Sequence, residues 1–322
     1  MNMKKFGNSN ETVSLLGMGC WGIGKMMWIG ADDKESKKVL HKAIEQGINF
    51  FDTALVYGNG HSESLVGEVE KESAKKLFIA SKIPSMKNEW PASNNSTLKE
   101  SFPKNYIIEK TEESLRNLKR DYINLMQFHV WNDKWADNDD WKEAIEKLKN
   151  DGKVLFWGIS MNDHQPTNGI ETGKTGLINS FQVIFNIFEQ RPMNRLFPFC
   201  KENEISIIAR VPFDEGALTG NIYPSTQFPV GDFRNEYFKD KRKIDVKLRV
   251  DKIWNDVKSE TASMAEAALR FIISHDAVTS VIPGVRKEKN LMANIAGIKK
   301  GNLSPKLSEE LKVHKWDKNF YE

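Results

Sequence analysis

Cysteine is close to absent. The 322-residue chain has only Cys20 and Cys200, which stand in no CxxC or metal-ligating spacing. That excludes a disulfide framework and a cysteine-built metal centre, and makes buried thiols the expectation. No eighteen apolar residues run together, and the N-terminal Met1-Asn2-Met3-Lys4-Lys5-Phe6-Gly7-Asn8 lacks the apolar stretch of a signal peptide. A soluble, cytoplasmic protein without a membrane partner is therefore expected. Charge of one sign is also missing: 47 Lys and Arg against 44 Asp and Glu leave +3, mixed along the chain. There is no basic stripe of the kind that tracks nucleic acid. No residue pattern suggests a metal, and no Rossmann-type dinucleotide unit is read.

What the sequence does contain is a rhythm. Apolar runs fall near 13–20, 47–52, 76–82, 122–129, 154–160, 180–186, 205–211 and 278–283. They are continuous rather than alternating, as strands buried on both faces require. Helical patterns lie between them. Asp32-Asp33 is placed to cap a helix carrying Val39, Leu40, Ala43 and Ile44; Ile107, Ile108, Thr111, Leu115 and Leu118 share one face; and 262–275 is equally plain. Alternating strands and helices predict a parallel sheet. Eight such units, in a chain somewhat longer than the ~250 residues of a typical (β/α)8 barrel, predict that fold as one domain over residues 1–322. A doubly wound sheet is the alternative. The extra length falls at 84–104, after the run near 76–82, and at 213–245, after the run near 205–211. Long loops at such places read as lids or binding loops.

Asp52, Tyr57, Lys82 and His129 each stand at or just past the C-terminal end of such a run or in the turn after it. A charge that ends a buried strand is costly unless it lies in a site, and barrel active sites are built at that end. Singly, Asp52 and Lys82 read equally as a structural ion pair, Tyr57 as a packed aromatic and His129 as a satisfied core residue. Together they can move protons. Tyr57 is the candidate general acid for reducing a carbonyl, Lys82 lowers its pKa, Asp52 holds Lys82, and His129 orients the carbonyl oxygen. A barrel hydrolase using Asp52 and Glu63 as acid and base competes with this reading but leaves Lys82 and His129 unexplained.

The stretch Gly47-Ile48-Asn49-Phe50-Phe51-Asp52-Thr53-Ala54-Leu55-Val56-Tyr57-Gly58, followed by Ser62-Glu63-Ser64-Leu65-Val66-Gly67, resembles the signature of the aldo-keto reductases. Lys82 after Phe78-Ile79-Ala80-Ser81, then His129, Gly158-Ile159-Ser160 and Ile282-Pro283-Gly284-Val285-Arg286, match in the same order, from about Val13 to Tyr321. The resemblance implies a barrel reductase that uses NADPH to convert small aldehydes or ketones to alcohols. Its alternative is a redox-sensing subunit that holds NADPH with little turnover, as channel-associated members do.

The resemblance also implies site residues. Gly19, Trp21, Asp52, Pro212, Phe213, Gly216, Leu218 and Gly284 would border the cofactor, and Ser160 and Gln182 would hold its carboxamide. The family often has Asn directly after that Ser; here Met161 intervenes before Asn162. Where many members set a Tyr against the nicotinamide, this chain has Arg210. Its guanidinium plane can stack instead, and its charge would favour the reduced ring; pairing with Asp214 is the alternative. Arg286 and Lys287, with Asn290 and Asn294 on the helix that follows, read as a site for the adenosine 2′-phosphate. Trp21, Tyr57, His129 and Trp131 are the expected substrate contacts, in an apolar mouth to which Met26 and Met27 add. Packing is the plainer expectation for Trp28 and Trp90, and Trp316 and Phe320 are candidate anchors of the tail.

Overall fold

Eight strands line up in sequence order as one parallel sheet: β3 (Met18–Gly19), β4 (Phe50–Asp52), β5 (Phe78–Ile83), β6 (Ile123–Phe128), β7 (Val154–Ser160), β8 (Ser180–Ile184), β9 (Ser206–Arg210) and β10 (Val278–Val281). The sheet closes on itself. Gly17 N–H donates to Val281 O at 2.9 Å, Val281 N–H to Leu15 O at 2.9 Å, and Gly19 N–H to Pro283 O at 3.0 Å. With helices outside, the computed structural model, which describes residues 1–317, is a (β/α)8 barrel. Phe320 and Tyr321 lie outside the described residues.

The first apolar run is not one strand. Thr12–Ser14 (β2) pairs antiparallel with Met3–Lys5 (β1), and the chain enters the barrel only at Met18. The hairpin buries Phe6 and Val13 in one cluster with Phe50, Phe78, Ala80, Leu125, Ile208 and Ile282, so it plugs the barrel's N-terminal end. Gly17, Gly19 and Gly22 do carry G-x-G-x-x-G spacing, but only the short 3-10 turn Trp21–Ile23 follows, not a long helix. A Cβ on Gly19 would meet Ile282 O at 2.8 Å, so barrel closure demands that glycine.

Strand periodicity sorts the side chains. Phe50, Phe78, Ala80 and Leu125 fill the barrel interior, while Phe51, Ile79, Met126 and Phe128 belong to the layer beneath the helices. Asp52, Lys82 and Gln127 are in phase with the first set. The expected helices form: Asp32 accepts from Glu35 N–H at 2.9 Å and caps Asp33–Glu45, while Lys104–Leu118 buries Ile107, Thr111, Leu115 and Leu118. Helix Met264–Ile273 lies within 262–275. The loop at 84–104 holds the short helix Leu98–Ser101, and the one at 213–245 holds the turn Asp214–Thr219, the short helix Arg234–Tyr237 and the start of Arg242–Val257. Trp316 anchors the tail, its ring 5.4 Å from that of Phe188. Both cysteines are buried free thiols, and no helix among the described residues is long and apolar enough to cross a membrane.

Candidate active site

At the C-terminal end of β5, Lys82 is fully buried, and its ammonium spends all three N–H groups. It donates to Asp52 Oδ1 at 2.5 Å, to Thr53 O at 2.8 Å and to Tyr57 Oη at 3.3 Å. The other oxygen of Asp52 accepts from Gln182 Nε2 at 2.7 Å and Gln127 Nε2 at 3.2 Å. Burial works against the ammonium, but Asp52 and Tyr57 outweigh it and hold Lys82 above its ordinary pKa. Because Lys82 donates to the Tyr57 oxygen, the phenolic proton is left for another acceptor.

Burial also pushes the Tyr57 phenol above its usual value, and the nearby Lys82 charge offsets only part of that. This corrects the expectation of a lowered pKa: Tyr57 stays protonated at neutral pH and is an acid. The His129 ring centre is 5.7 Å from that of Tyr57. Burial first, then Lys82 and Arg210, hold His129 well below its ordinary pKa, so the ring is neutral. Its Nδ1 meets no hydrogen-bond partner among the described residues.

A cleft of about 2110 Å³ opens over this cluster. It exceeds the ~300–1,000 Å³ of ordinary small-molecule pockets, leaving space for a dinucleotide and a second reactant. Gly19, Trp21, Asp52, Tyr57, His129, Ser160, Gln182, Arg210, Pro212, Phe213, Gly216, Gly284, Arg286, Asn290 and Asn294 all line it. Lys82 lies beneath the cleft rather than on its wall, and two residues expected at the wall do not reach it. Leu218 is fully buried in the core, and Trp131 is fully buried among Phe102, Phe128, Trp135 and Trp141, its indole donating to Thr172 Oγ1 at 2.7 Å. Asn162 brackets the Trp131 backbone at 3.2 and 2.9 Å.

Trp28 and Trp90 instead line the cleft, Trp90 standing perpendicular to His129 at 4.7 Å. Arg210 does not pair with Asp214: its guanidinium binds Asp163 and Met161 O, while Asp214 is held by Tyr237 and Arg242. The paired Asp163 offsets the positive charge expected beside the ring. Gln182 commits its amide nitrogen to Asp52 and Gln127, leaving its oxygen as the group available to a ligand. Glu63 lies behind β5, bonded to Ser81 and Asn117 and fully buried, so the hydrolase reading loses its second carboxylate.

Several cleft or supporting residues were not foreseen. Gln127 follows from strand phase, two residues before His129 on the same run. Thr53 acts through its carbonyl, which no side-chain pattern reveals. Arg234 stacks 4.3 Å from Trp28, with both nitrogens of its fork on Asp232 at 2.8 Å. Beyond β9 the backbone is strained: Val211, Asp214 and Glu215 adopt φ of 53°, 47° and 55°, and Asn186 Nδ2 holds Val211 O at 2.8 Å.

A (β/α)8 barrel that gathers Asp52, Lys82, Tyr57 and His129 below a long cleft has the architecture of a barrel enzyme, whose site is built at the C-terminal ends of the strands. The family model of the aldo/keto reductase family matches residues 15–314, and the chain belongs to that family. It is 31% identical to an uncharacterized oxidoreductase YqkF of Bacillus subtilis, over 98% of this chain and 96% of the relative. It is 26% identical to the aldo-keto reductase yakc [NADP(+)] of Schizosaccharomyces pombe, over 90% and 85%. The solved structure of the glycerol dehydrogenase AKR11B4 from Gluconobacter oxydans superposes with a TM-score of 0.79 at 25% identity, covering 97% of this chain and 94% of that one.

Proposed function

We propose that this protein reduces aldehydes or ketones to alcohols with NADPH, Tyr57 giving the proton. The observation that carries the reading is the commitment of all three Lys82 donors, one of them to the Tyr57 oxygen. When bound, the cofactor supplies the hydride, which no protein side chain can. Tyr57 donates its proton to the carbonyl oxygen, and the phenolate left behind is stabilised by the Lys82 ammonium. Asp52 keeps Lys82 charged and aimed, and the neutral His129 ring orients the same oxygen. Ser160 and the Gln182 oxygen would hold the carboxamide. Arg286, Lys287, Asn290 and Asn294 would receive the adenosine 2′-phosphate at the start of helix Glu288–Lys299.

Trp21, Trp28, Trp90 and Met27 make the mouth apolar, which suits a small carbonyl compound with an uncharged body. Relatives divide on the cofactor, with an NADH-specific one among them, so both must be compared. Fluorescence titration with NADPH, followed by a panel of aldehydes and ketones, tests the reading. Saturable binding, steady NADPH oxidation and a lower KM for NADPH than for NADH are expected. Tight binding without turnover would instead make the protein an NADPH-holding subunit, and a clear NADH preference would remove the 2′-phosphate site.

A further inference from the structure

Glu215 lines the cofactor cleft from the strained turn after β9. Every cation near it is already engaged: Arg210 with Asp163, Arg234 with Asp232, and Arg242 with Asp214. Glu215 itself forms no ion pair and no hydrogen bond among the described residues. The charged and titratable groups around it are Asp214 on its own turn, Asp163 from the loop after β7, Arg210 from β9, and Arg234 and Tyr237 from the short helix. Two carboxylates thus flank a third that has no counter-ion. The same wall is where an anion should sit, because Arg234 and Arg286 both stack on Trp28, at 4.3 and 5.6 Å, with Lys287 next in sequence. An ionised Glu215 there would repel a phosphate.

We propose that Glu215 is a cofactor-binding residue that meets a phosphate oxygen of the dinucleotide as a neutral carboxylic acid, donating its O–H, so that its ionisation loosens the cofactor. The inference rests on the reading of the cleft as an NADPH site. Burial, then the neighbouring Asp214 and Asp163, push Glu215 up to about 8 against the pull of Arg210 and Arg234. The neutral form is the one that binds, so affinity is full below that pH and is lost as pH rises through it.

The test is direct NADPH binding, by fluorescence, from about pH 6.5 to about pH 9.5, on the native protein and on Glu215→Gln, which keeps the shape and a donor but cannot ionise. The native Kd should rise by up to about tenfold for each pH unit above the Glu215 ionisation, while that of Glu215→Gln stays flat. A flat native profile, or a parallel rise in both proteins, would overturn the proposal. So would an affinity that increases with pH, since that outcome would make Glu215 an ionised acceptor for a ribose hydroxyl. If neither protein bound NADPH even at the lowest pH, the NADPH reading would fail first and take this proposal with it.

Discussion

Tyr57 carries the most chemistry for one side chain, and its surroundings set a direction. Tyr57→Phe removes a proton donor and little packing, so NADPH binding should persist while kcat for carbonyl reduction falls by about 10²- to 10⁴-fold. Near-native turnover in that variant would remove Tyr57 from the mechanism. Because burial raises the phenol's pKa above its ordinary value, reduction finds its acid protonated throughout neutral pH. Alcohol oxidation needs the phenolate, so its kcat/KM should climb steadily as pH rises into the alkaline range, and the Phe variant should lose that climb. These four residues were legible because a polar side chain ending an apolar run has few innocent explanations. The sign of the Tyr57 shift was not, since the sequence shows a lysine at the next strand end but not that burial of the phenol outweighs that lysine's charge. Trp131 and Trp90 exchanged places for a similar reason. Adjacency to a strand end suggested Trp131, yet its ring sits inside an aromatic cluster while the loop carries Trp90 back over His129.

Two loops join across the cleft. Asp232, from the long loop after β9, accepts from Ile29 N–H at 3.2 Å and holds the Arg234 fork, Phe233 N–H donates to Met27 O at 2.9 Å, and Arg286 donates to Ile29 O at 2.8 Å. The loop after β3 is thereby tied to the loop after β9 and to the segment entering helix Glu288–Lys299. That the 213–245 stretch borders the cleft was readable from its length and its place after a strand. Its partner was not, because 203 residues separate Ile29 from Asp232 and nothing in either stretch marks the other. Such a strap governs ligand escape more than ligand chemistry. Asp232→Ala should therefore speed NADPH dissociation by about tenfold, worth about 1.4 kcal/mol, with the rate of the chemical step little changed. Stopped-flow displacement of bound NADPH measures this, and an unaltered off-rate would mean the strap stays closed without Asp232.

The whole molecule separates stability from function along the barrel axis. The barrel was legible from eight apolar runs at regular intervals, since continuous hydrophobicity between helical patterns admits few folds. The split of the first run was hidden, because Val13 through Cys20 looks the same whether it makes one strand or a hairpin arm followed by a barrel strand. The consequence is physical: Phe6 lies at the closed end, its ring 4.7 Å from Phe78 and 5.3 Å from Phe156, while Asp52, Lys82 and the cleft occupy the opposite end of the same strands. Phe6→Ala would open a cavity in a floor with little freedom to collapse, because β1 and β2 are pinned to each other and Phe6 N–H is held by Glu11 O at 2.9 Å. The expected cost is about 3–5 kcal/mol, seen as a lower denaturant midpoint with an unchanged slope. The fraction that remains folded should bind NADPH with native Kd, because Ile282 alone among the plug's cluster also lines the cleft, and Asp52, Tyr57, Lys82 and His129 stand outside that cluster. A variant of native stability, or one that stays folded but binds NADPH weakly, would show that the floor and the mouth are not independent.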